Sequence, residues 1–155
     1  MRRNDRQVFD GEIDAILRRG RVLHLGLQDG DAPYVVPVNY GFAVEDGKRV
    51  LYFHGAGAGK KLDLLRRNPN AAFCVDLDLG LLRGRQACSC SFRYESVMGR
   101  GTVTELQDLE EKRRGLSCIF AQYAPEEPFG APDGALEQTA VLRLEITACT
   151  GKRRT

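Results

Sequence analysis

Two Asp-Gly pairs limit the fold of this chain more than any other feature, because each borders stretches in which apolar residues recur at every second position. Asp29-Gly30 separates residues 22–27 from residues 34–42, and Asp46-Gly47 separates the latter from residues 50–54. Such alternation is typical of a strand with one buried face, and an Asp-Gly pair between two such runs indicates a tight β-hairpin turn. Strands joined by so short a turn run antiparallel, so the sequence predicts an antiparallel sheet.

The remainder of the chain contributes further strands and several helices. Alternation predicts three more extended segments, at residues 71–79, 87–104 and 140–146, with Thr150-Gly151-Lys152 leaving the last of them. Apolar positions one turn apart predict three helices, at residues 10–19 with Asp10 as the cap, at residues 60–67, and from about 108 to 123. Gly99 and Gly101 indicate a bend that lets a sheet curl. Six or seven strands joined mainly by tight turns predict a mainly β fold, an antiparallel barrel with helical additions, rather than a doubly wound parallel sheet.

Length, charge and hydropathy exclude several classes of protein. With 155 residues, of which 43% are hydrophobic, the chain can bury one ordinary core, so we expect a single domain over residues 1–155. The formal net charge of +2, with acidic and basic residues interleaved, does not indicate a nucleic-acid partner. No apolar stretch is long enough to span a membrane, and the start, Met1-Arg2-Arg3-Asn4-Asp5-Arg6, runs into further charge rather than into the apolar segment of a signal sequence. We therefore expect a cytoplasmic protein.

The cysteines indicate free thiols. Their number is odd, and no export signal accompanies them, which favours reduced thiols over a disulfide framework. Cys88-Ser89-Cys90 resembles half of a metal site, but a second pair is missing and the two histidines, His24 and His54, lie far away in the sequence. In an extended segment Cys88 and Cys90 face the same way, which suits packing equally well. We predict no metal site.

A strand that ends at His54, a glycine-rich loop and a helix that begins near Lys60 form the segment with the strongest functional signal. A cation in the first turn of a helix is unfavourable by roughly 0.3–1 kcal/mol, so a bound anion such as a phosphate explains Lys60 and Lys61. The alternative is a pair of solvated surface lysines. The spacing does not match a nucleotide-triphosphatase loop, because Gly55 and Gly59 enclose three residues and no Ser or Thr follows Lys60. His54 could bond the phosphate, act as an acid near a ligand, or do neither.

Pro37 interrupts an otherwise regular strand. Proline cannot donate to a neighbouring strand and is confined to sheet edges and bulges, so free backbone groups are expected near it. Those groups could bond the polar rim of a flat heterocycle, or the segment could be an ordinary edge strand.

The chain resembles the flavin-binding split-barrel family, in particular the pyridoxamine 5'-phosphate oxidase-like branch that includes nitroimidazole-resistance proteins. The likeness extends over nearly the whole chain, and its motifs occur in the same order. They are Pro33-Tyr34-Val35-Val36-Pro37-Val38-Asn39-Tyr40-Gly41, Leu51-Tyr52-Phe53-His54-Gly55-Ala56, Gly59-Lys60-Lys61-Leu62-Asp63-Leu64-Leu65-Arg66, Tyr94-Glu95-Ser96-Val97-Met98-Gly99 and Thr150-Gly151-Lys152.

This resemblance implies a split β-barrel homodimer that binds one flavin mononucleotide (FMN) in each of two clefts at the subunit interface. It implies three groups of cofactor-binding residues. They are Val36, Pro37, Val38 and Asn39 along the isoalloxazine ring, His54, Gly55, Lys60 and Lys61 at the phosphate, and Tyr94 and Ser96, which close the cleft from one subunit or the other, with Lys152 as a further cofactor-binding residue. The chain departs from the family at Lys60, where an arginine is common, and at residues 88–91, where small residues replace an aromatic one and imply a wider pocket.

The function that the resemblance implies is an FMN-dependent oxidoreductase that takes electrons from a nicotinamide and reduces a small acceptor, such as a nitroaromatic compound or a quinone. One alternative is a flavin-binding protein without turnover, because His54 is the only candidate acid–base residue. A second is binding of haem or a deazaflavin. A third is oxidation of pyridoxamine phosphate, for which Arg83, Arg85 and Arg93 would have to supply a second phosphate site.

Overall fold

Every strand pairing within residues 4–154, the part of the chain that the computed structural model describes, is antiparallel. Arg2 and Arg3 lie outside these residues. The strands are β1 (Gln7–Val8), β2 (Leu23–Asp29), β3 (Ala32–Val38), β4 (Tyr40–Glu45), β5 (Lys48–Ala56), β6 (Asn70–Leu82), β7 (Ser91–Glu105) and β8 (Thr139–Arg154). The helices are α1 (Asp10–Arg19), α2 (Lys60–Arg67), α3 (Leu109–Tyr123) and α4 (Asp133–Gln138), with short 3₁₀ turns at Asn4–Arg6 and Ala87–Ser89.

The order of the strands shows that the sheet curls back on itself. It runs β3-β2-β6-β7-β8-β5-β4, with β1 added to β8, so β3 and β4 are its two edges. These edges are consecutive in the chain and are joined by the single residue Asn39. Neighbouring Cα atoms are only about 3.8 Å apart, so the edges must meet at Asn39. The prediction of a mainly β, antiparallel split barrel is confirmed. The described sheet has eight strands rather than the six or seven predicted, because it includes the two-residue strand β1.

The inner face of the curled sheet and α1 form the main core. Its largest fully buried side chains include Leu23, Leu25, Tyr40, Leu51, Phe53, Leu142 and Leu144 from the sheet and Ile16 and Leu17 from α1. The Tyr40 hydroxyl donates a 2.5 Å hydrogen bond to the Leu17 carbonyl oxygen, which fixes α1 against β4. Burial accounts for the raised pKa of Tyr40, so this hydroxyl remains a donor.

Helix α3 covers the opposite face of β4 and β5. Val50, Tyr52 and Val141 alternate with the main-core residues of their strands and pack with Ile119 of α3 in a second cluster. The helix approaches β4 very closely at Gly41, where a Cβ atom would lie 2.4 Å from the carbonyl carbon and oxygen of Cys118. Gly41 is therefore required for the position of α3.

Several predicted boundaries are wrong for identifiable reasons. The strand predicted at 34–42 divides at Asn39, because the chain passes there from one sheet edge to the other. Thr150-Gly151-Lys152 does not leave β8, because Gly151 and Lys152 pair with both β1 and β7. Residues 87–89 form a 3₁₀ turn, and the extended segment begins at Ser91.

The ends of the predicted helices also need two corrections. Phe9, not Asp10, occupies the N-cap of α1, and the Asp10 carboxylate accepts a hydrogen bond from Arg49. Helix α4 was not predicted, and Lys112 of α3 anchors it by donating hydrogen bonds to the carbonyl oxygens of Leu136 and Thr139 at 3.1 and 3.0 Å. None of the helices in residues 4–154 has the length and apolar character needed to traverse a membrane.

Candidate functional site

The corner at Asn39 brings together most of the residues predicted to bind a ligand. Tyr40 pairs with Phe53 of β5, so Asn39 lies level with the next residue of β5, His54. Soon after His54 the chain enters α2, and the second residue of this helix, Lys61, donates a hydrogen bond from Nζ to the His54 carbonyl oxygen at 3.2 Å. The glycine loop therefore folds α2 back towards the end of β5.

Lys61 is a half-buried cation without a carboxylate partner. None of the ion pairs between described residues includes it. Its Nζ lies 5.7 Å from the centre of the Phe53 ring, and a Cβ atom at Gly55 would lie 2.9 Å from the same nitrogen. Burial lowers the pKa of Lys61, which shows that its charge is incompletely compensated. An anion at this position would stabilise it.

Lys60 has a different environment, although it is adjacent in sequence. Its Nζ forms a 2.6 Å ion pair with Oδ2 of Asp29 and lies 5.1 Å from the centre of the Tyr34 ring. Its side chain is 56% exposed, so this pair is strongly screened by solvent. The negative group beside Lys60 in this structure is therefore a carboxylate at the end of β2. Asp29 and Tyr34 were not among the predicted site residues, because Asp29 was assigned only to the hairpin turn.

His54 is exposed at the end of β5, yet the protein lowers its pKa below the ordinary value of 6.5. The larger cause is partial desolvation of the ring, and the second is the positive charge of Lys61. The imidazole is consequently neutral at pH 7 and has one nitrogen that donates and one that accepts.

This environment predicts a pH-dependent loss of stability. Because the folded state binds a proton at His54 less readily than the unfolded state, the free energy of unfolding should fall as the pH drops below about 6.5. His54→Gln should flatten this part of the profile, measured by denaturant unfolding between about pH 5 and pH 8. An unchanged profile in the variant would show that another group is responsible.

The segment predicted to run along a flavin ring has two exposed members. Val36 and Val38 pack against the core, whereas Pro37 and Asn39 are exposed. The prediction that Pro37 lies in an edge strand is confirmed, because β3 pairs only with β2 in the described sheet. The backbone groups of β3 that point away from β2 are therefore available to a ligand.

Asn39 is held by the last turn of α3. Its Nδ2 donates to the hydroxyl oxygen of Tyr123 at 3.1 Å and to the carbonyl oxygen of Arg21 at 3.4 Å. The backbone N–H of Tyr40 also donates to the Tyr123 hydroxyl, at 3.2 Å. Tyr123 and Arg21 thus orient the corner, and neither was predicted because each is distant from Asn39 in the sequence.

Tyr94, Ser96 and Lys152 form a separate group. Ser96 of β7 lies opposite Lys152 of β8, and Tyr94 lies opposite Arg154. His54, in contrast, pairs with Val141, and Lys152 lies eleven positions farther along β8. At roughly 3.3 Å per residue this corresponds to about 36 Å along the strand. The structure brings these three residues close to one another but separates them from His54 along the sheet.

A broad groove of about 990 Å³ crosses the outer face of β2, β3, β6 and β7. Its lining consists mainly of small or uncharged residues, among them Gly26, Ala32, Val35, Ala72, Gly101 and Thr147. None of the predicted cofactor residues lines this groove. Its volume alone is therefore not evidence for the cofactor site, which is better indicated by the charges at the Asn39 corner.

Comparisons with known proteins agree with the fold. The family model described as pyridoxamine 5'-phosphate oxidase matches residues 10–153. A structure described as a candidate 5-nitroimidazole antibiotic resistance protein from Bacteroides thetaiotaomicron is 34% identical, covers 95% of this chain and 86% of its own, and has a TM-score of 0.80. No curated protein sequence matches the chain.

Two further solved structures have similar folds. The flavocytochrome Anf3 from Azotobacter vinelandii is 26% identical over 100% of this chain and 72% of its own, with a TM-score of 0.78. A FAD-binding protein from Mesorhizobium loti is 25% identical over 97% of this chain and 98% of its own, with a TM-score of 0.67. Because the family model spans nearly all described residues and the 34% identical structure shares the fold, the chain belongs to the pyridoxamine 5'-phosphate oxidase family, in the branch that contains the nitroimidazole-resistance proteins.

Proposed function

We propose that this protein is an FMN-dependent oxidoreductase that acts as a homodimer and reduces a small nitroaromatic or quinone-like acceptor with electrons from a nicotinamide. The observation that carries the proposal is the half-buried ammonium group of Lys61, which has no carboxylate partner among the described residues and lies at the start of α2. The similarity to the nitroimidazole-resistance protein supports the class of acceptor.

The residues at this corner fit a phosphate monoester. The first N–H groups of a helix have no acceptor within the helix, and they point towards an anion bound at its N-terminus. Gly59, which precedes α2, has a φ of 134°, a backbone conformation that residues with side chains rarely adopt, so the turn into α2 depends on glycine. Lys61 adds an uncompensated charge, and Lys60 could exchange Asp29 for a phosphate oxygen.

Other residues would position the ring of the cofactor. The exposed edge of β3 at Pro37 supplies backbone groups, and Asn39 is held by Tyr123 beside it. The neutral imidazole of His54 can donate one hydrogen bond without repelling Lys61. Bound FMN would supply the redox chemistry, by accepting a hydride and passing electrons to the acceptor.

The separation of the two groups of predicted residues supports a homodimer. Tyr94, Ser96 and Lys152 are remote from His54 along one sheet, so a second copy of the chain would complete the cleft. The hairpin formed by β6 and β7 extends beyond its neighbouring strands, where Leu81 pairs with Phe92. These two side chains are 39% and 59% exposed, and a partner subunit would bury them.

A flavin-binding protein without turnover is the second candidate. It is favoured by one observation: the charged form of His54, the candidate acid–base residue near the end of β5, is disfavoured. Such a protein would carry or sense the flavin without a residue that transfers protons.

Absorption spectra of the purified protein, reconstituted separately with FMN, FAD and haem, test the identity of the cofactor. We expect flavin bands and one FMN per chain. Anaerobic mixing with reduced nicotinamide should then bleach the flavin, and addition of a nitroaromatic compound or a quinone should restore its colour. Colour that persists after addition of the nicotinamide would favour the carrier, and a haem spectrum without flavin would contradict the proposal.

A further inference from the structure

The loop between β6 and β7 carries two exposed thiols that the proposed function does not use. Cys88 and Cys90 are both exposed and unbridged, and they flank Ser89 in the turn at Ala87–Ser89. The other three cysteines are partly buried. Burial raises the pKa of each, to about 11 for Cys118, so these thiols are poor nucleophiles at neutral pH.

Hydrogen bonds within the loop hold the two thiols on the same short turn. The Ser89 hydroxyl donates to the Gln86 carbonyl oxygen at 2.8 Å, and the backbone N–H of Gln86 donates to the Ser89 hydroxyl at 3.2 Å. Gly84 permits this closure, because a Cβ atom there would lie 2.0 Å from the Ser89 hydroxyl oxygen. Hydrogen bonds between its own residues therefore hold this loop.

Both sulfur atoms converge on Gln86. The Cys88 thiol donates to the side-chain oxygen Oε1 of Gln86 at 3.6 Å, and the Cys90 thiol donates to its carbonyl oxygen at 3.6 Å. Cys90 differs in one respect, because its sulfur also accepts the backbone N–H of Gly84 at 3.4 Å. This donated N–H group distinguishes Cys90 from Cys88 and is the reason to assign Cys90 as the thiol that reacts first.

We propose that Cys88 and Cys90 form a peroxide-reactive dithiol, in which Cys90 is oxidised first and Cys88 resolves it to an intraloop disulfide. The Cys90 thiolate attacks a hydroperoxide, forms an S–O bond, breaks the O–O bond and releases an alcohol or water after a proton is taken up. The Cys88 thiol then attacks the sulfur of the Cys90 sulfenic acid and breaks its S–O bond. The displaced hydroxide takes the Cys88 proton and leaves as water. One peroxide is reduced by two electrons and two thiols are oxidised to one disulfide.

The two cysteines are close enough for this bond. Residues two positions apart in a 3₁₀ turn have Cα atoms separated by about 5–6 Å, within the range that disulfides span. A ring so small is strained, and strained disulfides are readily reduced, so the disulfide should be reversible. The proposal does not rest on the flavin, because the thiols and their hydrogen bonds all belong to residues 84–90.

Tryptic peptide mapping tests the proposal directly. Cleavage after Arg85 and Arg93 releases residues 86–93, which contain Cys88 and Cys90 and no other cysteine. After treatment of the whole protein with hydrogen peroxide and then iodoacetamide, this peptide should carry no alkyl group. Its mass should be lower by two hydrogen atoms than that of the unalkylated peptide with two free thiols. A thiol reductant applied before alkylation should restore two alkylation sites. Unmodified thiols, or sulfinic acids without the disulfide, would overturn the proposal.

Variants separate the two roles. Cys88→Ser should trap a sulfenic acid at Cys90, which forms an adduct with dimedone, whereas Cys90→Ser should lose both the adduct and the disulfide. Cys118→Ser, which removes a half-buried thiol of α3, is the matched control and should leave the disulfide at residues 88 and 90 unchanged. Trapping at Cys88 in the Cys90→Ser variant at the same rate would show that the order of oxidation is wrong. The same peptide mapping should give the disulfide with and without FMN. Failure of the proposed flavin chemistry would therefore leave this result unchanged.

Discussion

Replacing Lys61 with methionine is expected to weaken FMN binding by about tenfold to one-hundredfold, which corresponds to the roughly 1.5–3 kcal/mol of a hydrogen bond to a charged group. Methionine keeps much of the aliphatic stem of Lys61 but removes the half-buried ammonium group, whose Nζ lies 5.7 Å from the centre of the Phe53 ring. Quenching of flavin fluorescence measures the dissociation constant. Riboflavin, which has the same ring but no phosphate, should bind the variant and the parent protein equally well.

The neighbouring lysine provides a contrasting result. Lys60→Met should weaken FMN binding less than Lys61→Met, because Lys60 is more than half exposed and already paired with Asp29. Asp29→Asn should instead strengthen binding, since it releases Lys60 and removes a negative charge near the phosphate. Lys48→Met, at the far end of β5 in an ion pair with Glu145, is the matched control. An equal loss of riboflavin and FMN affinity in Lys61→Met would place the phosphate elsewhere.

Replacing Gly41 with alanine should lower the free energy of unfolding by about 1–3 kcal/mol, the usual effect of forcing an extra carbon into a packed interior. The new methyl carbon would lie 2.4 Å from the Cys118 carbonyl group and 2.5 Å from the Ile119 nitrogen, both in the backbone of α3. A helix backbone cannot move aside as a side chain can, so α3 must shift. Urea unfolding measures the loss.

The shift of α3 should also reach the proposed cofactor site. Tyr123, at the end of the same helix, accepts hydrogen bonds from the Asn39 side chain and from the Tyr40 backbone N–H. Gly41→Ala should therefore weaken riboflavin binding as well as FMN binding, unlike Lys61→Met. Gly130→Ala is the control, because a Cβ atom at that position would have no heavy atom within 4 Å from any described residue other than its chain neighbours. A fully stable Gly41→Ala protein would show that the contact between β4 and α3 is not rigid.

Local sequence patterns were sufficient where neighbouring residues determine the structure. The helix at 60–67 has the predicted ends, because Gly59 precedes it and Asn68-Pro69 follows it. The hairpin turn at Asp29-Gly30 is confirmed, and Gly30 has the positive φ of 60° that such a turn requires. Pro37 was correctly assigned to a sheet edge for a reason that depends only on its missing N–H.

Features that depend on distant residues could not be predicted in the same way. The break at Asn39 depends on Tyr123, and helix α4 depends on Lys112, so neither has a signal in its own segment. The proposed anion site contains one feature that neighbouring residues determine and one that distant residues determine. Two lysines at a helix start indicated a phosphate, but the pairing of Lys60 with Asp29 arises from the approach of α2 to β2. Sequence could therefore not distinguish the two lysines, whereas the structure does.

The position of β8 has a consequence for how the molecule folds. The hairpins β2–β3, β4–β5 and β6–β7 can form from neighbouring residues. Among the strands of residues 4–154, only β8 connects β4–β5 by strand pairing to the rest of the sheet, through pairs such as Val50 with Glu145. Contacts so distant in sequence slow the search for the native state, typically to milliseconds or seconds. Until β8 docks, β5 and β7 have open edges on which other chains can add strands, so expression at lower temperature should favour monodisperse protein over aggregates.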